Sequence, residues 1–447
     1  MSQSASNGAD YPYPIRPISP DEFDLFHLID QHAFNSGPMS AGDREFVLSR
    51  FEFDRSLAAF DGAMPVGSAG AYSFQLSVPG EVMLPAAGVT WVSVLPSYRR
   101  RGVLSSLMRR QLADIRGRGE PVAALWASEA GIYSRFGYGR ATWNLAFTIK
   151  RGEGAMAKAY SGQPGSGLRD GGPSGSGPSG SGLSLRLAEP SAVLGELGKV
   201  YDTVLPGRPG FFVRNEAWWQ RTIYDPADHR EGASPLRCVL AEDASGPRGY
   251  MLYSGLGREE DMFIPNDLIR VRELMAVDAQ AGAALWTDLL SRDLTSEFRA
   301  QRRPVDDPLL QQLADPRRAR PQLMDALWVR IIDVPAALAG RRYSAPVDLV
   351  IEVRDEILTA NSGRWRLRTE SGAGVGLAAS CTPSSSTSSD SADLVLDVTQ
   401  LGATYLGGTR VGALAEAGLV TELRPGAVRQ LSAAMDWDPA PWCPIIF

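Results

Sequence analysis

Residues 90–139 read TWVSVLPSYRRRGVLSSLMRRQLADIRGRGEPVAALWASEAGIYSRFGYG, and this stretch decides how the chain folds. Trp91 to Leu95 are apolar and rich in β-branched and aromatic side chains, which predicts a strand. Pro96 ends it, because proline donates nothing to a ladder. Arg99, Arg100, Arg101 and Gly102 come next. Val103, Leu104, Leu107, Met108, Leu112 and Ile115 then recur at helical spacing, so a helix is expected to start near Gly102. A strand, a basic glycine turn and a helix make an anion site. The first-turn N–H groups lack intrahelical partners, and the helix dipole favours negative charge there. Gly102 permits close backbone approach, and the arginines add fork-shaped donors. The competing reading is a solvated basic turn ahead of a surface helix, and a short glycine motif alone does not separate the two. The order of elements does. Residues 122–127 form a second strand, and Ser128-Glu129-Ala130-Gly131-Ile132-Tyr133-Ser134-Arg135-Phe136-Gly137-Tyr138-Gly139 follows it.

Arg99-x-x-Gly102 in this setting resembles the acetyl-CoA pyrophosphate motif of the GNAT superfamily of N-acetyltransferases. The fuller run, RRRGVL followed by ASEAGIYSRFGYG, resembles the Eis (enhanced intracellular survival) family of actinobacterial acetyltransferases. The broad superfamily places a small residue two positions after the glycine. Leu104 stands there instead, which is similar to the Eis branch. The likeness extends over most of the chain and is strongest at residues 65–145 and 325–345.

The resemblance implies a set of roles. Backbone N–H groups of Val92, Ser93 and Val94 would hold the pantetheine arm and polarise the thioester carbonyl. Arg100, Arg101, Gly102, Val103, Leu104 and Ser105 would hold the pyrophosphate. Ser128 and Glu129 would also line the cofactor site, although Glu129 reads equally as a surface carboxylate. Tyr133 would be the general acid, with Tyr138 its rival on sequence alone. Trp91 and Phe34 would border the acceptor pocket. The base would be the α-carboxylate of Phe447, the last residue. The apolar end Pro444-Ile445-Ile446-Phe447 argues for docking over fraying. Acidic positions that suit polycationic aminoglycosides are not evident near Phe34-Asn35-Ser36.

The rest of the chain supports an α/β fold with mixed sheets: two tandem GNAT-like domains, then a sterol-carrier-like C-terminal domain. A length of 447 residues suits two to three domains. Residues 1–14 read as a disordered tail and residues 15–150 as the N-terminal GNAT domain with the acetyl-CoA site. Residues 161–183 are Gly, Ser and Pro with little apolar content. They read as a flexible linker that cannot offset its ordering entropy. Residues 184–322 repeat the order of helices, hairpin, long strand and helix. The second copy has Asp278 where the first has its basic turn, and an aspartate there would repel pyrophosphate. It is expected to be a degenerate GNAT-like domain. Residues 323–447 carry WVRIIDVPAAL and LGATYLGG, which resemble the sterol-carrier-like end of Eis proteins. A Ser-rich loop is expected at residues 381–389.

A formal net charge of -6 argues against a general nucleic-acid binder. Cys238, Cys381 and Cys443 are odd in number and far apart, so neither a disulfide framework nor a zinc site is expected. His27, His32 and His229 give no metal spacing, and no metal is expected. No basic, apolar leader opens the chain, and no run reaches the roughly 18 apolar residues of a membrane helix. The expectation is a cytoplasmic, acetyl-CoA-dependent N-acetyltransferase acting on small-molecule or lysine amines, and the resemblance implies a homohexamer. The alternative is a non-catalytic protein that holds an apolar ligand in its last domain beside a vestigial cofactor site. The intact Arg99–Gly102 turn speaks against it.

Overall fold

The structure, a computed structural model, describes residues 13–160, 168–169, 182–258, 266–372, 374–384 and 391–447. Most of the expected tail, most of the expected linker at 161–183, and residues 385–389 of the expected Ser-rich loop lie outside the described residues. Residues 381–383 of that loop are strand.

The first unit contains β1 (Ile15–Pro17), α1 (Phe23–Phe34), α2 (Ala41–Leu48), β2 (Leu57–Asp61), β3 (Met64–Val78) and β4 (Val82–Val94). It continues with α3 (Val103–Gly117), β5 (Val122–Trp126), α4 (Ala130–Tyr133) and β6 (Gly139–Arg140). The second contains β7 (Trp143–Lys150), β8 (Leu168–Arg169), β9 (Ser184–Ala188), α5 (Leu194–Val204) and α6 (Glu216–Ile223). There follow β10 (Arg237–Asp243), β11 (Gly246–Leu256), β12 (Asp267–Ala276), α7 (Ala279–Leu290), β13 (Thr295–Pro304), α8 (Leu309–Gln312) and β14 (Gln322–Asp325). The third follows β15 (Leu327–Ile331). It holds α9 (Val334–Ala339), β16 (Asp348–Arg354), β17 (Gly363–Glu370), β18 (Ala378–Pro383), β19 (Leu394–Asp397), α10 (Val398–Thr404), α11 (Val411–Glu416), β20 (Val420–Glu422) and α12 (Ala427–Met435).

These strands form three sheets, ordered β1-β2-β3-β4-β5-β15-β6, β14-β7-β13-β12-β11-β10-β9-β8 and β18-β17-β16-β19-β20. The first two exchange strands. β7, which sequence reading places at the close of the N-terminal domain, pairs antiparallel with β13 and β14 in the second sheet. β15, read as the start of the last domain, lies between β5 and β6 in the first. The two crossing segments bond to each other. The Ala141 N–H donates to the Leu327 carbonyl at 2.9 Å, and the Leu327 N–H donates to the Thr142 hydroxyl at 2.9 Å. A cut in the sequence between these two units therefore does not separate their sheets.

The third unit packs against the first through one shared core. Phe74, Leu76 and Val78 of β3 lie in it with Val334 and Leu338 of α9, Leu401 of α10 and Met435 of α12. Gly139 and Gly402 set the closeness of α10 to the first sheet. A Cβ on Gly139 would overlap the backbone of Thr399 and Ala403, and one on Gly402 would overlap the Val329 carbonyl. Arg330 of β15 is fully buried at the same junction. It donates to the Phe136 carbonyl at 2.8 Å and to Asp355 Oδ1 at 2.7 Å. Replacing Arg330 by leucine would leave the buried Asp355 carboxylate without its cation. We expect a loss of about 3–5 kcal/mol, seen as a lower urea midpoint in equilibrium unfolding; an unchanged midpoint would contradict this reading of the junction.

Candidate active site

The site begins where β4 and β5 part. Their parallel pairing runs from Ala86 and Val122 to Gly88 and Ala124, and it stops there although both strands continue. A bulge in β4 accompanies the parting. Ser68 pairs with Ser93 and Gly70 with Thr90, so two residues, Trp91 and Val92, face one. Trp91 carries the strain of the bulge, with φ at 53°. The Leu95 N–H donates to Val66 on the β3 side. Alternation along a strand then turns the N–H of Val94, and of Val92 two residues earlier, into the gap. Ser93 faces the other way along the backbone, and its hydroxyl donates to Asp30 Oδ1 at 3.0 Å.

A cavity of about 430 Å³ runs from this gap to the start of α3. Gly102 is the N-cap of α3, left-handed at φ 82°, with open space where a Cβ would be and no side-chain cap on the helix. Its first-turn donors are therefore free to meet an anion. Val103, Leu104 and Ser105 line the cavity, as do Arg99 and Arg100. Arg101 does not line it. Its guanidinium sits 5.0 Å from the centre of the Tyr98 ring. An uncapped helix N-terminus, a glycine with room beside it and two inward arginines fit the pyrophosphate of acetyl-CoA. The corresponding corner of the second unit is closed. Asp278 caps α7 by accepting from the Ala281 N–H at 2.8 Å, and it pairs with Arg248 at 2.5 Å.

Ser128, Glu129 and Tyr133 form the opposite wall, from β5 into α4. Tyr133 is buried. Burial raises the pKa of its phenol and a hydrogen bond with Ser128 draws it back, with a net upward shift. Tyr138 is fully buried, its hydroxyl lacks a partner, and it lines neither this cavity nor the adjoining one.

The adjoining cavity, about 410 Å³, shares Phe34, Val92, Ser128 and Tyr133 with the first. Trp91 borders it, and so does Phe447. The terminal segment is led there by specific bonds. The Trp442 N–H donates to the Pro209 carbonyl at 2.8 Å, and its indole donates to the Arg302 carbonyl at 2.7 Å. The Phe447 ring packs 5.1 Å from Phe74 and 5.2 Å from Phe212, centre to centre. Tyr133 and the last residue of the chain thus face one space.

Among the lining residues that the sequence analysis assigns no role are Asp30 and Trp126. Asp30 lies one turn of α1 before Phe34, just ahead of the Phe34–Ser36 stretch that holds no acid. Helical spacing from Phe34 was the signal that could have found it. Burial raises the Asp30 carboxyl pKa, and the Ser93 hydroxyl partly opposes the shift. Elsewhere, Asp43, Asp228 and His229 bring three potential metal ligands within 4.8 Å of one another at the surface, with His229 at 3.2 Å from Asp43. Among the described residues no helix is long and apolar enough to cross a membrane.

Comparison with known proteins agrees with this geometry. Residues 14–141 and 210–331 each match the model of an acetyltransferase (GNAT) domain, and residues 334–444 match a sterol carrier protein domain. An uncharacterized N-acetyltransferase of Streptomyces avermitilis is 40% identical over 96% of this chain and 98% of its own. The N-acetyltransferase Eis of Mycobacterium tuberculosis is 36% identical over 86% of this chain and 87% of its own. The crystal structure of Eis1 from Mycobacterium abscessus superposes with a TM-score of 0.76 and 31% identity, covering 97% of this chain and all of that one.

The inward and outward arginines give a direct test. Arg99→Ala and Arg100→Ala should each weaken coenzyme A binding by about tenfold or more, with a shallower salt dependence, because each loses a charge-assisted contact of about 1.5–3 kcal/mol. Arg101→Ala should change binding by less than about twofold. Calorimetric titration at two salt concentrations reads all three; equal losses would remove the distinction.

Proposed function

Because the chain belongs to the Eis-like branch of the GNAT N-acetyltransferases, we propose that it acetylates primary amines, with Tyr133 as general acid and the Phe447 α-carboxylate as general base. Candidate acceptors are aminoglycosides, polyamines and lysine side chains. The observation that supports this most is the meeting of Tyr133 and Phe447 in one cavity, beside the parted strands that lead to the Arg99–Gly102 turn.

Bound acetyl-CoA supplies an activated thioester. The arginine-glycine turn and the first N–H groups of α3 hold its pyrophosphate, with Ser128 and Glu129 on the facing wall. The N–H groups of Val92 and Val94 line the gap and donate toward charge that develops on a carbonyl oxygen. An amine enters as ammonium, between Trp91, Phe34 and Asp30. Asp30 offers it a counter-charge, and the Phe447 carboxylate takes its proton so that the lone pair can attack. Tyr133 keeps its own proton at neutral pH, since burial raises its pKa. It can therefore give that proton to the departing sulfur. The same reading makes the protein a cytoplasmic homohexamer, which sedimentation at working concentration checks through the particle mass.

Tyr133→Phe should lower kcat about 100-fold or more while coenzyme A affinity and melting temperature stay within error. A protein amidated at Phe447 should lose a similar factor. Wild-type turnover in either case removes that group from its role. The pH profile carries a further expectation. The raised Asp30 pKa means that its charge disappears, as pH falls, at a higher pH than an ordinary aspartate's of about 4. KM for the amine should climb through that pH, and Asp30→Asn should flatten the climb. The raised phenol pKa of Tyr133 keeps its acid form up to and beyond about pH 10, so no loss of kcat from this group is expected below that.

A further inference from the structure

The cavity that Phe447 closes holds more rings than charges. Phe34, Trp91, Trp126 and Phe447 give it aromatic walls, and Tyr133 stands where it joins the first cavity. Among its lining residues Asp30 is the one acidic side chain, and no arginine, lysine or histidine lines it. Phe447 carries the chain's terminal carboxylate, which the transfer reading reserves for the proton.

Asp30 has room for one ammonium. The Ser93 hydroxyl occupies its Oδ1 at 3.0 Å, and its Oδ2 accepts no hydrogen bond among the described residues. A second ammonium on the same acceptor would sit among indole and phenyl rings with no second acidic side chain to pair with. The attraction of a ring face for a cation does not replace the hydration that such a charge loses. A neutral, apolar body meets no such cost and covers apolar surface instead.

The walls are fixed before a ligand arrives. The Trp91 indole donates to the Tyr72 hydroxyl at 3.3 Å, and its ring meets Phe26 at 6.2 Å and Phe51 at 6.1 Å, centre to centre. Phe447 is held between Phe74 and Phe212. A pocket set in this way spends little binding energy on ordering its rings. Phe34 is the exception to burial. It is the last residue of α1, stands at the rim of both cavities and is 52% exposed. An exposed aromatic ring at a cavity rim is apolar surface that a ligand can cover. Offset or edge-on packing against an aromatic ligand adds to the gain from burial alone.

We infer that the preferred acceptor is an arylalkylamine, a single ammonium on an apolar aromatic body, with the ammonium paired to Asp30 and the ring against Phe34, Trp91 and Trp126. This rests on the acetyl-transfer reading and narrows it. Three acceptors test it: 4-phenylbutylamine, hexylamine and 1,6-diaminohexane, followed by release of the coenzyme A thiol. In the wild type, kcat/KM should fall in that order, by about tenfold from first to last. Phe34→Ala should keep the wild-type melting temperature, because the ring is exposed, and should lower the ratio of 4-phenylbutylamine to hexylamine about threefold. Trp126→Leu should lower the same ratio. A diamine that matches or exceeds hexylamine, a hexylamine that matches or exceeds 4-phenylbutylamine, or an aryl preference that survives both variants would overturn the proposal. If no amine is acetylated at all, the transfer reading fails separately. Titration of 4-phenylbutylamine and of 1,6-diaminohexane into protein saturated with coenzyme A then decides the pocket. Tighter binding of the aryl amine, weakened in Phe34→Ala, supports the proposal; equal binding, tighter binding of the diamine, or no binding of either refutes it.

Discussion

The separation of β4 from β5 after Gly88 and Ala124 is the constraint on which the site depends. A continued ladder would consume the N–H groups of Val92 and Val94 and leave no opening between the strands. The bulge at Trp91 and Val92 bends β4 away and holds Trp91 in a left-handed conformation. Strain of this kind persists only where the surroundings over-determine it. Here they do: the Trp91 carbonyl accepts from Ser68 at 2.8 Å and its indole donates to Tyr72. The same departure aims the end of β4 at the Arg99–Gly102 turn, so the opening and the anion-binding corner are consequences of one deformation.

The exchange of β7 and β15 gives that opening its floor. Because each strand serves the other unit's sheet, the first and second units cannot drift apart without breaking ladder bonds. Phe212, which follows α5 in the second unit, is thereby set against Phe74 of the first, 4.7 Å between ring centres. Phe447 closes over this pair. The chain's last residue reaches the cavity because the Trp442 bonds to Pro209 and Arg302 anchor it to the second unit on the way. The first and third units thus line the cavity that Phe447 closes, and Phe212 of the second backs the Phe447 ring.

Electrostatics differ along the site. Arg99 and Arg100 make one cavity cationic, while Asp30 places a carboxyl, weakened as an acid by burial, in the adjoining one. A cation in that cavity would meet Asp30 favourably.

Local chemistry along the sequence was enough to determine the strand, turn and helix at residues 90–117. Each depends on neighbours in the chain: an apolar run, a proline stop, a glycine that tolerates a left-handed cap, and apolar residues at helical spacing. The loss of the second turn was legible for the same reason, because Asp278 caps its helix from within one turn. The resemblance carried Tyr133 and Phe447 by position, but not their surroundings. Which sheet accepts β7 and β15 was decided by tertiary structure alone, since both strands are apolar enough to suit either. The inward turn of Arg99 and Arg100 and the outward turn of Arg101 were likewise open among three adjacent arginines until Tyr98 took one of them. Charge at a point in space sums over residues that sequence keeps apart, and only the packed units bring those terms together.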